Sequence, residues 1–137
     1  ALLVHLWIGS SLTMRGEHQK AAPFFDQTAQ MDQIPMVPLV LGLMQAIKND
    51  KVGAQTQLAK AHKIGKRRYI CAYEIGSVHS VLGEMDEAYR WMERGLGERC
   101  VCFIWMMTEP WMKPFRRDPR FPALAAKVGL WNKPRSF

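Results

Sequence analysis

The sequence predicts an all-α fold: three pairs of helices followed by a short closing helix. Three observations predict it. Apolar residues recur at helical spacing from residue 2 to about residue 98. Five columns of residues repeat at steps of 33 and 34. At one point of each repeat stands a residue that tolerates a left-handed backbone, which ends one helix and lets the next begin.

The columns define the elements in order. A large residue followed by a small one recurs at Ile8-Gly9, Leu41-Gly42 and Ile75-Gly76. The small residue sits mid-way along a first helix and lets a second helix approach closely. Some seven residues later come Gly16, Asn49 and Gly83, the expected left-handed stops. The second helix carries a small residue facing the first (Ala21, Ala54, Ala88), and four residues later a large one that fills the interface (Phe25, Leu58, Met92). A fifth column holds Thr28, Ala61 and Gly95. Helices are therefore expected at about 2–15 and 19–31, 38–48 and 51–64, and 69–82 and 86–98. Pro38 suits a first turn, and its helix is expected to start late. Pro23 predicts a delayed or bent start, and Asp86 is the expected N-cap of the last helix of the three pairs. Gly76→Leu is expected to be costly and Gly95→Ala to be tolerated. Because one helix pair cannot bury its own faces, the pairs should stack into a solenoid.

These columns resemble the tetratricopeptide repeat, and the third unit, "YEIGSVHSVLGEMDEAYRWMERGL", is the closest match. The resemblance covers about residues 5–100. It departs from the family pattern at the tryptophan column (His5, Pro38, Ala72), the tyrosine column (Leu12, Gln45, His79) and the closing proline column (Gln33, Lys66, Cys100). It implies an α-α superhelix, a right-handed solenoid of three helix pairs with a C-terminal capping helix. The expected organisation is a single domain over 1–137, with repeats at about 2–33, 36–66 and 69–99 and a cap at 101–137.

The tail after residue 100 breaks the repeat and is rich in tryptophan and methionine, with prolines at Pro110, Pro114 and Pro119. "DPRFPALAAKVG" reads as one short helix, with Asp118 as N-cap and Pro119 as first residue. Its apolar face holds Phe121, Leu124, Ala125 and Val128, and Gly129 ends it. A solenoid needs a cap on its last face, and this tail is expected to supply it. It also resembles an ending, F-R-x-D-P-R-F-x-x-L-x-x-x-x-G-L, that follows tetratricopeptide repeats in bacterial regulators such as winged-helix activators, adenylate-cyclase-type proteins and kinases. The matching positions are Phe115, Arg116, Asp118, Pro119, Arg120, Phe121, Leu124, Gly129 and Leu130. This resemblance implies a bacterial source and a C-terminal module of a larger regulator. The first residue is not methionine, and the chain is expected to be cut from a longer protein or processed.

Composition narrows the chemistry. At 137 residues and 48% hydrophobic, the chain can bury a core. The longest apolar run, Val101 to Met107, falls far short of a membrane span, and "ALLVHLWIG" reads as a core helix rather than a leader. The net charge of +7 permits anionic partners without selecting one. "KAHKIGKRR", Lys60 to Arg68, reads first as a solvated helix end whose cations oppose the helix dipole. Cys71, Cys100 and Cys102 lack C-x-x-C spacing and a second ligand cluster; they are expected to be buried reduced thiols of a cytoplasmic protein. His5, His18, His62 and His79 are scattered, and His5 and His79 are expected to be packing residues. No catalytic motif is present, so the expectation is not an enzyme, with no catalytic residue, cofactor or metal.

Binding is the remaining mechanism. The resemblance implies that first helices line a concave groove, which carries Leu6, Ser10 and Thr13, then Leu39, Leu43 and Ala46, then Tyr73, Ser77 and Ser80. The Lys, Asn and Arg set with which the family's chaperone adaptors grip a C-terminal carboxylate is missing from these positions. The expected groove is apolar with a hydroxyl stripe, suited to a helix, a peptide, another domain of the parent chain, the tail, or a second copy. The expected function is a protein-interaction scaffold without a membrane role. The alternative is a basic helical-repeat module that binds nucleic acid, which the unmatched polar columns disfavour.

Overall fold

The computed structural model describes residues 2–129; Leu130, the last position of the tail motif, lies outside them. Among the described residues the chain is all-helical, without a strand. The fold divides into two compact units, Ala1–Ile70 and Cys71–Phe137.

In the first unit, α1 (Leu2–Met14) packs along α2 (His18–Ala29), and α3 (Met36–Ile47) packs along α4 (Lys51–Gly65). Helix α3 also lies against α1 and α2. Leu6, Val37, Val40, Leu41 and Met44 form the buried core, flanked by Phe25, Met31 and Ile34. Each such side chain contributes roughly 1.5–3 kcal/mol when fully buried. Helix α4 is capped by Asp50, whose carboxylate accepts from the Gly53 backbone N–H at 2.9 Å.

In the second unit, α5 (Ala72–Val81) packs along α6 (Met85–Gly97). The tail follows as a 3-10 turn at Val101–Trp105, a second at Pro110–Met112, α7 (Lys113–Arg117) and α8 (Phe121–Val128). It packs back onto both helices of the pair: the two 3-10 turns and α7 lie on α5, and α8 lies on α6. One core joins Tyr73, Ala88, Tyr89 and Met92 of the pair to Phe103, Met106, Met112, Phe115, Phe121 and Leu124 of the tail.

All three predicted stops adopt the left-handed conformation: Gly16 at φ 78°, Asn49 at φ 63° and Gly83 at φ 79°. Each closes its helix with the same pair of bonds. At Gly83, its own N–H reaches Ser80 O at 3.0 Å and the Glu84 N–H reaches His79 O at 2.9 Å, the Schellman pattern. A fourth stop was not read from the sequence. Arg99, at φ 56°, ends α6 by the same geometry, with the Cys100 N–H on Gly95 O at 3.0 Å. Arginine gave no local signal for a left-handed residue.

Several local expectations are corrected. Helix α3 starts at Met36, not late, because Pro35 and Pro38 both fit around a first turn. Helix α2 starts at His18 and runs through Pro23. Asp86 is not the N-cap of α6; Glu84 holds that position without a side-chain bond, and Asp86 lies in the first turn. Asp118 does not cap α8 directly; Arg120 precedes the helix, and Asp118 accepts the Arg120 backbone N–H at 2.9 Å. Gly129 ends α8 in the left-handed conformation as read, at φ 82°.

The small-residue columns are buried in both units: Ala21, Ala54 and Ala88, and also Thr28, Ala61 and Gly95. A Cβ on Gly76 would meet the Ala88 carbonyl oxygen and the Met92 methyl, each at 3.0 Å. That is the close approach the sequence predicts. A Cβ on Gly95 would meet the buried Phe103 ring at 3.1 Å, so the expected tolerance of Gly95→Ala is not supported.

Candidate functional site

The nine expected groove positions are mostly consumed by packing. Leu6, Thr13, Leu39, Ala46, Tyr73, Ser77 and Ser80 are buried, whereas Ser10 and Leu43 are half-buried. Two of the hydroxyls turn back on their own helices, Thr13 to Gly9 O and Ser77 to Tyr73 O, both at 2.9 Å. The Ser10 and Ser80 hydroxyls have no hydrogen-bond partner among the described residues. In the folded chain seven of these nine side chains lie in the interior. The 33- and 34-residue repeat located the helices but not which side of each remained exposed, because burial depends on neighbours outside the repeat.

At Tyr73 the tail itself is the cover. The Tyr73 hydroxyl donates to Glu109 Oε2 at 2.7 Å, and its ring meets Phe103 edge-on at 5.2 Å between centroids. Burial and the adjacent Glu109 carboxylate hold the Tyr73 hydroxyl protonated. Burial, and then Glu109, push Glu74 up to about 7.

The tail motif forms a single clasp. Phe115 stacks on Tyr89 at 4.3 Å, accepts the Tyr89 hydroxyl on its carbonyl at 3.0 Å, and meets Phe121 edge-on. Arg116 donates to the carbonyls of Met106 and Glu109 at 3.0 and 2.9 Å. Arg120 grips both Asp118 oxygens, reaches Asp86 at 2.8 Å, and lies over the Tyr89 ring. Phe115 and Arg120 of "FRRDPRFPAL" thus bind the tail to α6, whereas Arg116 and Asp118 tie the tail to itself.

Among the described residues, exposed apolar side chains gather on α1 and on the tail. On α1, Val4 and Trp7 are each 56% exposed and Ile8 39%; with Ser11, Leu12 and Arg15 they line a shallow depression. The spacing of these residues is that of one helix face. On the tail, Val101, Ile104 and Trp105 are exposed. Separately, Lys60, Lys63, Lys66, Arg67 and Arg68 line a cleft with Asp32, Gln33 and Ile64. Arg68 donates there to the Gln33 carbonyl at 3.4 Å.

Histidines form no cluster of three potential metal ligands among the described residues; His5 stacks on Phe24 and His79 lies 3.2 Å from Glu84. The thiols do converge. The sulfurs of Cys71, Cys100 and Cys102 all lie within 4.8 Å of one another, and no disulfide links them. The sequence reading missed this because two of the ligands follow α6 and the third precedes α5. Their proximity arises only when the pair folds.

Comparison with family models, with curated proteins and with solved structures returns no match for this chain. No helix among the described residues is long and apolar enough to cross a membrane.

Proposed function

We propose that the chain is a protein-interaction module of the tetratricopeptide kind, a right-handed stack of three helix pairs with the tail as its cap. In this reading it belongs to a larger, cytoplasmic bacterial regulator. The support is the 33- and 34-residue period, its three left-handed stops, and the tail clasp. The observation that carries the binding role is the exposed strip Val4, Trp7 and Ile8 on α1. A tryptophan and two β-branched residues left open on one helix face suit an apolar anchor strip for a helix or another domain.

The test is Trp7→Ala with Ile8→Ser, compared with the parent chain for self-association by light scattering and for binding to the rest of the regulator. Loss of association with an unchanged melting temperature supports the reading. Association that persists in the folded double variant overturns it.

The basic cleft on α4 favours a second reading, a docking site for a nucleic acid. Five cations on one cleft can hold phosphates, but such contacts weaken steeply with salt. Titration of single-stranded RNA at two salt concentrations decides it: binding that survives high salt and is lost in Lys63→Glu, Arg67→Glu supports this reading.

A further inference from the structure

The three cysteines of the chain lie in one place. Cys71 is the residue before α5, Cys100 is the residue before the 3-10 turn, and Cys102 lies within that turn. Cys100 is buried and the other two are half-buried. Their sulfurs fall within 4.8 Å of one another. Around a zinc ion with Zn–S bonds of about 2.3 Å, sulfurs stand about 3.8–4.0 Å apart. Closing the cluster onto an ion therefore takes a sub-ångström to one-ångström adjustment, within the reach of side-chain rotation.

We propose that Cys71, Cys100 and Cys102 form a three-thiolate site for a closed-shell thiophilic cation, zinc or cadmium. The backbone supports that chemistry. Cys71 stands at the N-terminal end of the ten-residue α5, where the helix dipole favours a thiolate. Arg99, held left-handed, turns the chain so that Cys100 and Cys102 both face back toward the start of α5. Binding replaces three thiol protons, released to solvent, with one divalent cation. The ion would fasten the beginning of the tail to the beginning of α5 and so lock the cap in place.

The experiment uses the full chain, reduced and stripped of metal by a chelator. Because the chain has three cysteines in all, thiol counting reads the site directly. One equivalent of zinc or cadmium should protect all three thiols from Ellman's reagent, raise the melting temperature, and with cadmium produce a thiolate charge-transfer absorption. Cys102→Ser should weaken binding about a hundredfold, as one of several ligands lost from a site of this kind. Cys71→Ser, at a position on the other side of the cluster, should do the same and abolish the thermal shift. The proposal is overturned if one equivalent of either ion leaves the thiols reactive under reducing conditions. It is also overturned if both serine variants, folded by circular dichroism, bind as tightly as the parent chain.

Discussion

Gly76 and Gly95 occupy buried positions in the same helix pair, and their surroundings set different outcomes. At Gly76 an added side chain meets backbone, the Ala88 carbonyl at 3.0 Å, which cannot rotate away. Gly76→Leu should cost at least about 2–3 kcal/mol through overpacking, read as a lower denaturation midpoint. At Gly95 the obstacle is the Phe103 ring at 3.1 Å, itself buried and held against Tyr73. The gain in helix propensity from Gly95→Ala, up to about 1 kcal/mol, is therefore expected to be outweighed, with a modest fall in melting temperature. Arg99 is the reverse case. Its φ of 56° strains a side-chain-bearing residue, and Arg99→Gly should stabilise the metal-free chain by roughly 0.5–1 kcal/mol. Glu74 adds a pH signature. Its folded pKa of about 7 lies above the ordinary value of 4.5, so between these values the folded state holds more protons than the unfolded one. Stability contributed by its neutral form is complete below pH 4.5 and is lost as the pH rises through 7. Chemical denaturation of the metal-free chain at pH 5 and pH 8 should show this fall, and Glu74→Gln should flatten it. An unchanged slope in the variant would assign the effect elsewhere.

At the scale of elements, the helix stops and the tail clasp do different work. The stops satisfy carbonyls at the ends of α1, α3 and α5 and reverse the chain in three residues, which sets the register within each helix pair. The clasp works through one aromatic residue on α7, Phe115, which is fully buried between Tyr89 and Phe121. Phe115→Ala should cost about 3–5 kcal/mol, the range for deleting a buried aromatic side chain. It should also increase the amide exchange of α7 and α8 more than that of α3 and α4, which lie in the other compact unit. By contrast, the Arg120–Asp86 ion pair is open to solvent at both ends, and Asp86→Ala should change stability little.

At the scale of the whole molecule, two compact units expose apolar residues on α1 and on the first 3-10 turn of the tail, while the expected groove positions are largely buried. The proposed interaction role would draw on Trp7 and its neighbours, which are exposed, rather than on the buried Leu39 or Tyr73. Leu39→Glu would place a charge at a position 2% exposed and test folding rather than binding. Trp7→Ala, at a position 56% exposed, should leave stability within about 0.5 kcal/mol and so isolate association.

The sequence by itself determined where the chain turns and which helices form pairs. Gly16, Asn49 and Gly83 announce themselves because a left-handed stop is a property of one residue and its nearest backbone bonds. The small-residue columns are legible for a similar reason, since helix periodicity places Gly76 opposite Ala88 once the turn is known. Only the tertiary structure decided which faces stay open, how Arg99 comes to be left-handed, and that three cysteines separated by up to a full helix pair meet within 4.8 Å. Those outcomes depend on contacts between segments distant in the chain. No local pattern encodes them, because the distance between two sulfurs is fixed by the packing of α5 on α6 and by the tail that closes over both.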